Sequence, residues 1–291
     1  MDNSDTTLYH YCSSEAFVSI VTSRTIWLSS LALSNDSKEG RLVRETLLRL
    51  AARDGLPVTD QTRLEDSLAF AERVFDGLGF CLSEAGDLLS QWRGYADDGR
   101  GVAIGFSKLY LTKLGEQFRA QEEAGFNLYK VEYNQAEQEA SITPAYRKLR
   151  SLIDDGAFRR QGQWSLLDDR TSEQIAAEDK ETSKLYRSLL LQLISLFPKL
   201  YELKAEGFKE EREWRLVHLK TELPNGDYKF RSKADSVIPY KCFELPDLGC
   251  EAIREVIIGP KHSTPPQVLQ YMLKQSGFGE VPTRESSVSY R

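Results

Sequence analysis

The chain has no apolar run long enough to cross a bilayer, which takes about 20 mainly apolar residues. Its most apolar stretch, Leu185 to Leu200, is broken by Arg187, Gln192, Pro198 and Lys199, so no membrane partner is expected. Cysteine is scarce: Cys12, Cys81, Cys242 and Cys250 form no C-x-x-C pair, and only His10, His218 and His262 stand beside them. Neither a metal site nor a disulfide framework is expected from that set. Scattered single thiols suit a reducing cytoplasm, and the polar opening Met1-Asp2-Asn3-Ser4-Asp5 does not read as a secretory leader. Absent too are the G-x-x-x-x-G-K-[ST] phosphate loop, G-x-G-x-x-G after a strand, H-E-x-x-H and G-x-S-x-G. No repeat at a solenoid period and no low-complexity tract is found.

What is present is a globular mix. Of 291 residues 41% are hydrophobic, enough to offset the entropy of ordering the chain. Lys and Arg number 38 against 44 Asp and Glu, a net charge of −6. That balance gives no overall field for nucleic acid, although a local basic cleft leaves such a partner open.

The periodicity predicts strands at Leu8–Cys12, Thr25–Ser30, Gly79–Glu84, Gly101–Phe106 and Asn127–Tyr133. Strands return at Arg212–Leu219, Tyr228–Arg231, Val237–Leu245 and Ile253–Ile258. Helices are expected from Ser13 or Ser14 to Thr22, Ser37 to Gly55, Gln61 to Asp76, Asp87 to Ala96 (capped by Asp87), and Gln267 to Gln275. Residues 135–205 read as a helical insertion or cap within a single domain spanning 1–291. Strand-helix-strand at the front, helices in the middle and strands at the back favour an α+β fold with a mixed or antiparallel sheet.

Three segments place polar or aromatic groups where a plain core would use aliphatics. His10 shares a strand face with Leu8 and Cys12, where a hydrogen-bonded core histidine is the blander reading. Trp92 and Tyr95, three apart, could form a stacking wall for a flat ring, with Ser90 and Arg93 as polar contacts; plain packing on the sheet is the alternative. In Glu210 to His218 a strand would turn Glu211, Glu213, Arg215 and Val217 to one side. That is either a solvated edge strand or an acidic cleft border able to stabilise a sugar cation. Asn35-Asp36-Ser37-Lys38-Glu39 reads more simply as a helix cap than as metal-binding oxygens.

Taken together, Leu8-Tyr9-His10-Tyr11, Ile26-Trp27-Leu28-Ser29, Asn35-Asp36, Cys81-Leu82-Ser83-Glu84, Trp92-Arg93 with Tyr95, and Glu211-x-Glu213-Trp214-Arg215 make the chain resemble a mostly bacterial family, domain of unknown function 2971, over roughly Leu8 to Pro260. More distantly, the order of parts is similar to the ADP-ribosyltransferase fold. That second resemblance implies NAD as substrate and cleavage of its nicotinamide–ribose bond, with ADP-ribose passing to an unknown macromolecular acceptor or to water. It assigns His10 to the adenosine ribose, Tyr95 with Trp92 to nicotinamide, and Glu213 with its neighbour Glu211 to the catalytic acid. Ser29 or Ser83 takes the place of a strand serine, Tyr11 follows the histidine where a glycine is usual, and Trp27-Leu28-Ser29 replaces a second-strand tyrosine. Arg93, Arg100 or Arg215 is then expected at the pyrophosphate. The alternative is an inactive module, binding a nucleotide or a partner in bacterial defence or stress response.

Overall fold

The computed structural model describes residues 6–31, 33, 41–74, 76–120, 125–163, 167–220, 228–233 and 236–290. Among these the chain is α+β, built on a mostly antiparallel open sheet. The strands are β1 Thr7–Cys12, β2 Thr25–Ser30, β3 Asp76–Ser83, β4 Val102–Ser107, β5 Asn127–Lys130, β6 Glu213–Lys220, β7 Lys229–Lys233, β8 Ser236–Glu244, β9 Ile253–Ile258 and β10 Thr283–Glu285. The helices are α1 Ser14–Ser23, α2 Arg41–Arg53, α3 Val58–Val74, α4 Leu89–Tyr95, α5 Lys108–Ala120, α6 Gln135–Asp154, α7 Ser172–Ile194, α8 Phe197–Glu202 and α9 Pro266–Gln275.

The main path of the sheet runs β10-β9-β4-β1-β3-β2-β8-β7, with β6 paired to β3 and β5 on β6. Among the described strands β10 on β9 is the parallel pair, and an isolated parallel bridge joins Glu132 to Leu203. The strand that organises the rest is β3. One of its edges pairs with β6 along its whole length, from Asp76↔Lys220 to Ser83↔Glu213. The other edge is shared: β2 meets it at Leu78 and Gly79, and β1 meets it at Ser83 alone. Between those contacts β1 and β2 part, and the stretch from Phe80 to Leu82 is left to a cleft.

Alternation along the β3–β6 pair fixes what covers each face. Leu78, Phe80, Leu82 and Leu216 turn to a core completed by Phe17 and Ile20 of α1, Tyr110 and Leu114 of α5, and Leu269 and Leu273 of α9. Val217 turns to the opposite core, filled by Leu47, Leu64, Ile142, Leu149, Leu189 and Leu193 from α2, α3, α6 and α7. Gly77 and Gly79 lie on that second face, where an added Cβ would meet Tyr201 and Leu31 side chains within 2.5 Å. The helical middle thus closes over one sheet face together with α2 and α3, which the sequence pattern had not joined to it.

Local signals account for several helix starts. Ser13 caps α1, its hydroxyl accepting from Ala16 N at 3.2 Å. Thr171 and Gln174 form a reciprocal capping box at the start of α7. Several expectations need correction. Asp87 does not cap α4: Leu88 holds that position without a side-chain cap bond. The strand expected at Asn127–Tyr133 stops at Lys130, and α3 starts earlier, at Val58. Among the described strands and α-helices, α5 and β10 went unread. The Asn35-Asp36 pair and the start of the helix expected from Ser37 lie outside the described residues.

Candidate functional site

The gap between β1 and β2 holds two adjoining cavities. The larger, about 220 Å³, is lined by Trp27, Ser29, Gly79, Phe80 and Arg231 among others; the smaller, about 50 Å³, by Tyr9, Tyr11, Gln91, Glu211 and Glu213 among others. His10, Cys81 and Tyr95 line both, so the two form one cleft along the uncovered edge of β3.

His10 sits at its centre. Its Nδ1 lies 2.8 Å from the carbonyl oxygen of Cys81, and since a carbonyl only accepts, Nδ1 carries the hydrogen. The ring stacks on Phe80 at 3.9 Å between centroids. Burial pushes its pKa down to about 4, with the Arg231 charge adding to the effect. The imidazole is therefore neutral at pH 7, with Nε2 bearing the lone pair. Across the larger cavity Arg231 Nη2 donates to Ser29 Oγ at 3.1 Å.

Tyr95 reaches the cleft from the last turn of α4 and is 44% exposed, open enough to meet a ligand. Burial of its hydroxyl and the nearby Glu211 charge push its pKa well above the ordinary tyrosine value. Trp92 does not join it. That indole is fully buried, packs edge-on against Tyr11 and donates from Nε1 to Asp87 at 2.8 Å. Arg93, one residue on, is exposed and lines neither cavity. Spacing on a helix placed Trp92 and Tyr95 on one face, but α4 is short and turns its indole into the sheet.

The acids differ from each other. Glu211 ends a 3₁₀ turn, Glu206–Glu211, and is not on the strand. Arg212 follows in the left-handed region with φ 44°, which breaks the alternation before β6 begins at Glu213. Ser83 is buried and pins this turn, its hydroxyl donating to Glu211 O at 2.6 Å.

Glu213 is buried, and each of its oxygens is taken. Arg215 donates from Nε to Oε1 at 2.7 Å and from Nη2 to Oε2 at 2.9 Å, and Lys204 Nζ donates to Oε2 at 2.9 Å. Burial alone would raise its pKa, but these two cations win and hold it at about 2. Arg215, 0% exposed, faces no ligand; its guanidinium also donates to Tyr201 O at 3.2 Å. The edge-strand reading fails here, because β6 lies between β3 and β5. Glu211 keeps more freedom. It meets Lys204 at 2.6 Å, and burial leaves its pKa raised above the ordinary carboxylate value.

Of the residues expected at the site, then, His10, Tyr11, Ser29, Tyr95, Glu211 and Glu213 line the cleft. Ser83, Trp92 and Arg215 support it from within, and Arg93 lies outside. Tyr11 contributes its ring, while its hydroxyl is spent between Ala85 O and Leu88 N. Arg100 is exposed and also lines neither cavity. Reasoning on sequence missed Lys204, Arg231 and Cys81. Only Arg231 carried a signal, as a cation within a predicted strand. Among the described residues no cluster of three or more His, Cys, Asp or Glu side chains could hold a metal ion, and no helix is long and apolar enough to cross a membrane.

The motif residues also meet one another: Trp214 Nε1 donates to Glu84 Oε1 at 2.8 Å, and Lys130 pairs with the same oxygen at 2.9 Å. The stretch holding α4, β5, the helical layer, the acid pair and Trp214 is the one that comparison recognises. Residues 91–216 match the family described as protein of unknown function, DUF2971. The DUF2971 match covers Tyr95, Lys204, Glu211 and Glu213 and stops short of His10, Ser29, Cys81 and Arg231. No curated protein and no solved structure matches the chain.

Proposed function

We propose that the cleft binds NAD and cleaves its nicotinamide–ribose bond, as an ADP-ribosyltransferase-like enzyme does. One observation carries this reading: an imidazole, a phenol ring and a carboxylate from three distant segments line one cleft. In the reaction the glycosidic C–N bond breaks and its electron pair goes to the pyridinium nitrogen, so nicotinamide leaves neutral. The positive charge left on the ribose is met by a carboxylate, and water or an acceptor nucleophile closes the new bond and sheds its proton. Glu211 is the acid for this role. Glu213, tied to Arg215, shares Lys204 with it. Arg231 is the cation for the pyrophosphate, replacing Arg93, Arg100 and Arg215. Neutral His10 offers Nε2 to a ribose hydroxyl, and Tyr95 flanks the nicotinamide ring.

Incubating the purified protein with NAD and following nicotinamide release tests the reading. Glu211→Gln should lower the rate by about 10²–10³, the usual size for a preorganised charge. An unchanged rate removes Glu211 from the chemistry.

A second reading has its own support. Lys204 bonds both acids and Arg215 bonds Glu213, so the pair is largely neutralised, which suits a module that binds nucleotide without turnover. Saturable NAD binding with no nicotinamide release would favour it.

A further inference from the structure

Lys204 follows α8, where the helical layer rejoins the sheet, and is only 4% exposed. Its Nζ lies 2.6 Å from Glu211 Oε2, 2.9 Å from Glu213 Oε2 and 4.9 Å from the centroid of the Phe208 ring. Its backbone is held as firmly. Lys204 N donates to Glu132 O at 3.1 Å, and Gln138 Nε2 donates to the carbonyls of both Glu132 and Lys204 at 2.8 Å. The chain entering the helical layer and the chain leaving it are thus clamped together beside the acid pair.

Taking an ammonium out of water is costly unless its partners compensate. Glu213 does not require this one, since Arg215 already bonds both its oxygens. What Lys204 adds is the bond to Glu211, a carboxylate at the cleft wall.

We propose that Lys204 is a positioning residue of the cleft, holding Glu211 in its cavity-facing orientation as half of a carboxylate pair and tying the helical layer to it. This deepens the NAD reading above and rests on it for the chemistry, while the geometric role stands by itself. Glu213, Arg215, Tyr95, Tyr133, Cys81 and His10 also surround the pair, and of these only Arg215 is a fixed cation. With Lys204 neutralised, burial and the Glu213 charge both drive Glu211 towards its protonated form.

The test compares wild type with Lys204→Met and Lys204→Arg. Glutamate side-chain carboxyls are labelled with carbon-13, and Glu211→Gln identifies the Glu211 resonance. In Lys204→Met that carboxyl should titrate at a higher pH than in wild type. The acid limb of NAD turnover should move up with it, and kcat should fall at least about tenfold, more than KM changes, consistent with loss of an oriented charge. Lys204→Arg should restore the titration and most of the rate. Should Lys204→Met not fold, Lys204→Gln keeps an N–H donor group without the charge and carries the same comparison. A Glu211 titration unmoved by loss of the Lys204 charge would overturn the proposal, even if the melting temperature falls. If wild type neither binds nor cleaves NAD, the functional reading fails, and the carboxyl titration still decides the role of Lys204.

Discussion

His10 donates from Nδ1 to the carbonyl oxygen of Cys81 at 2.8 Å, on the part of β3 that neither β1 nor β2 reaches. The side chain stands where a neighbouring strand would otherwise satisfy that carbonyl. Because burial holds His10 at about pKa 4, below its ordinary value of 6.5, the unfolded chain takes up its proton first as pH falls. The contribution is complete above about pH 6.5 and is lost as pH falls towards 4. Between pH 7 and 4 the melting temperature should fall more in wild type than in His10→Gln, whose amide can still donate to the carbonyl. Equal pH dependence in the two proteins would rule the assignment out.

Breaking the buried pair should be costly. Arg215→Met leaves Glu213 in the core with only Lys204 as partner, and removal of one member of a buried ion pair typically costs about 3–5 kcal/mol. Urea unfolding of the variant should show a loss in that range, while Arg93→Met, on an exposed side chain, should fall within about 0.5 kcal/mol of wild type.

Asp87 anchors α4 from outside the helix. Its carboxylate accepts from Trp92 Nε1 at 2.8 Å, from Ser287 N at 2.7 Å and from the Ser286 and Ser287 hydroxyls. These bonds, with burial working against them, keep its pKa below the ordinary value. At the other end, Asp98 holds Lys261 and Tyr290. Asp87→Ala should cost about 1–3 kcal/mol, the range for a buried donor, here the Trp92 indole, left unsatisfied. It should also change Trp92 fluorescence and weaken any ligand that depends on Tyr95. A change in stability with no change in ligand affinity would separate the anchor from the cleft.

Close backbone approach fixes the exit from α4. A Cβ at Gly101 would sit 2.0 Å from Cys12 O and 3.0 Å from Ala96 O, both backbone atoms that cannot swing aside. Gly101→Ala should therefore lower the melting temperature well beyond what Gly94→Ala does, since nothing lies within 4 Å of a Cβ there. Comparable curves for the two variants would contradict the packing at this junction.

The sequence made some of this readable and hid the rest for identifiable reasons. The bounds of β2, whose residues alternate between partly and fully buried, and of the apolar strand β9 agree with expectation, and Ser13 marks the start of α1 by its capping chemistry. By contrast α5 begins directly after β4, at Lys108, without a turn signal to separate them. The pairing of Trp92 with Tyr95 failed because helical spacing does not say which side of a short helix meets the sheet. Glu211 was read as a strand residue because nothing in Glu211-Arg212-Glu213 announces the left-handed turn at Arg212. Lys204 was invisible for a deeper reason: a lone lysine at the end of a helical stretch normally points to water, and only the return of the chain to Glu132 buries it.

The measurement that bears most directly on the account is calorimetric titration of NAD into the wild-type protein and into Tyr95→Ala and Arg231→Ala. One-to-one binding in wild type, weakened at least about tenfold by each substitution with the fold intact, is the result the cleft predicts. No binding to wild type, or binding that neither substitution alters, would contradict it.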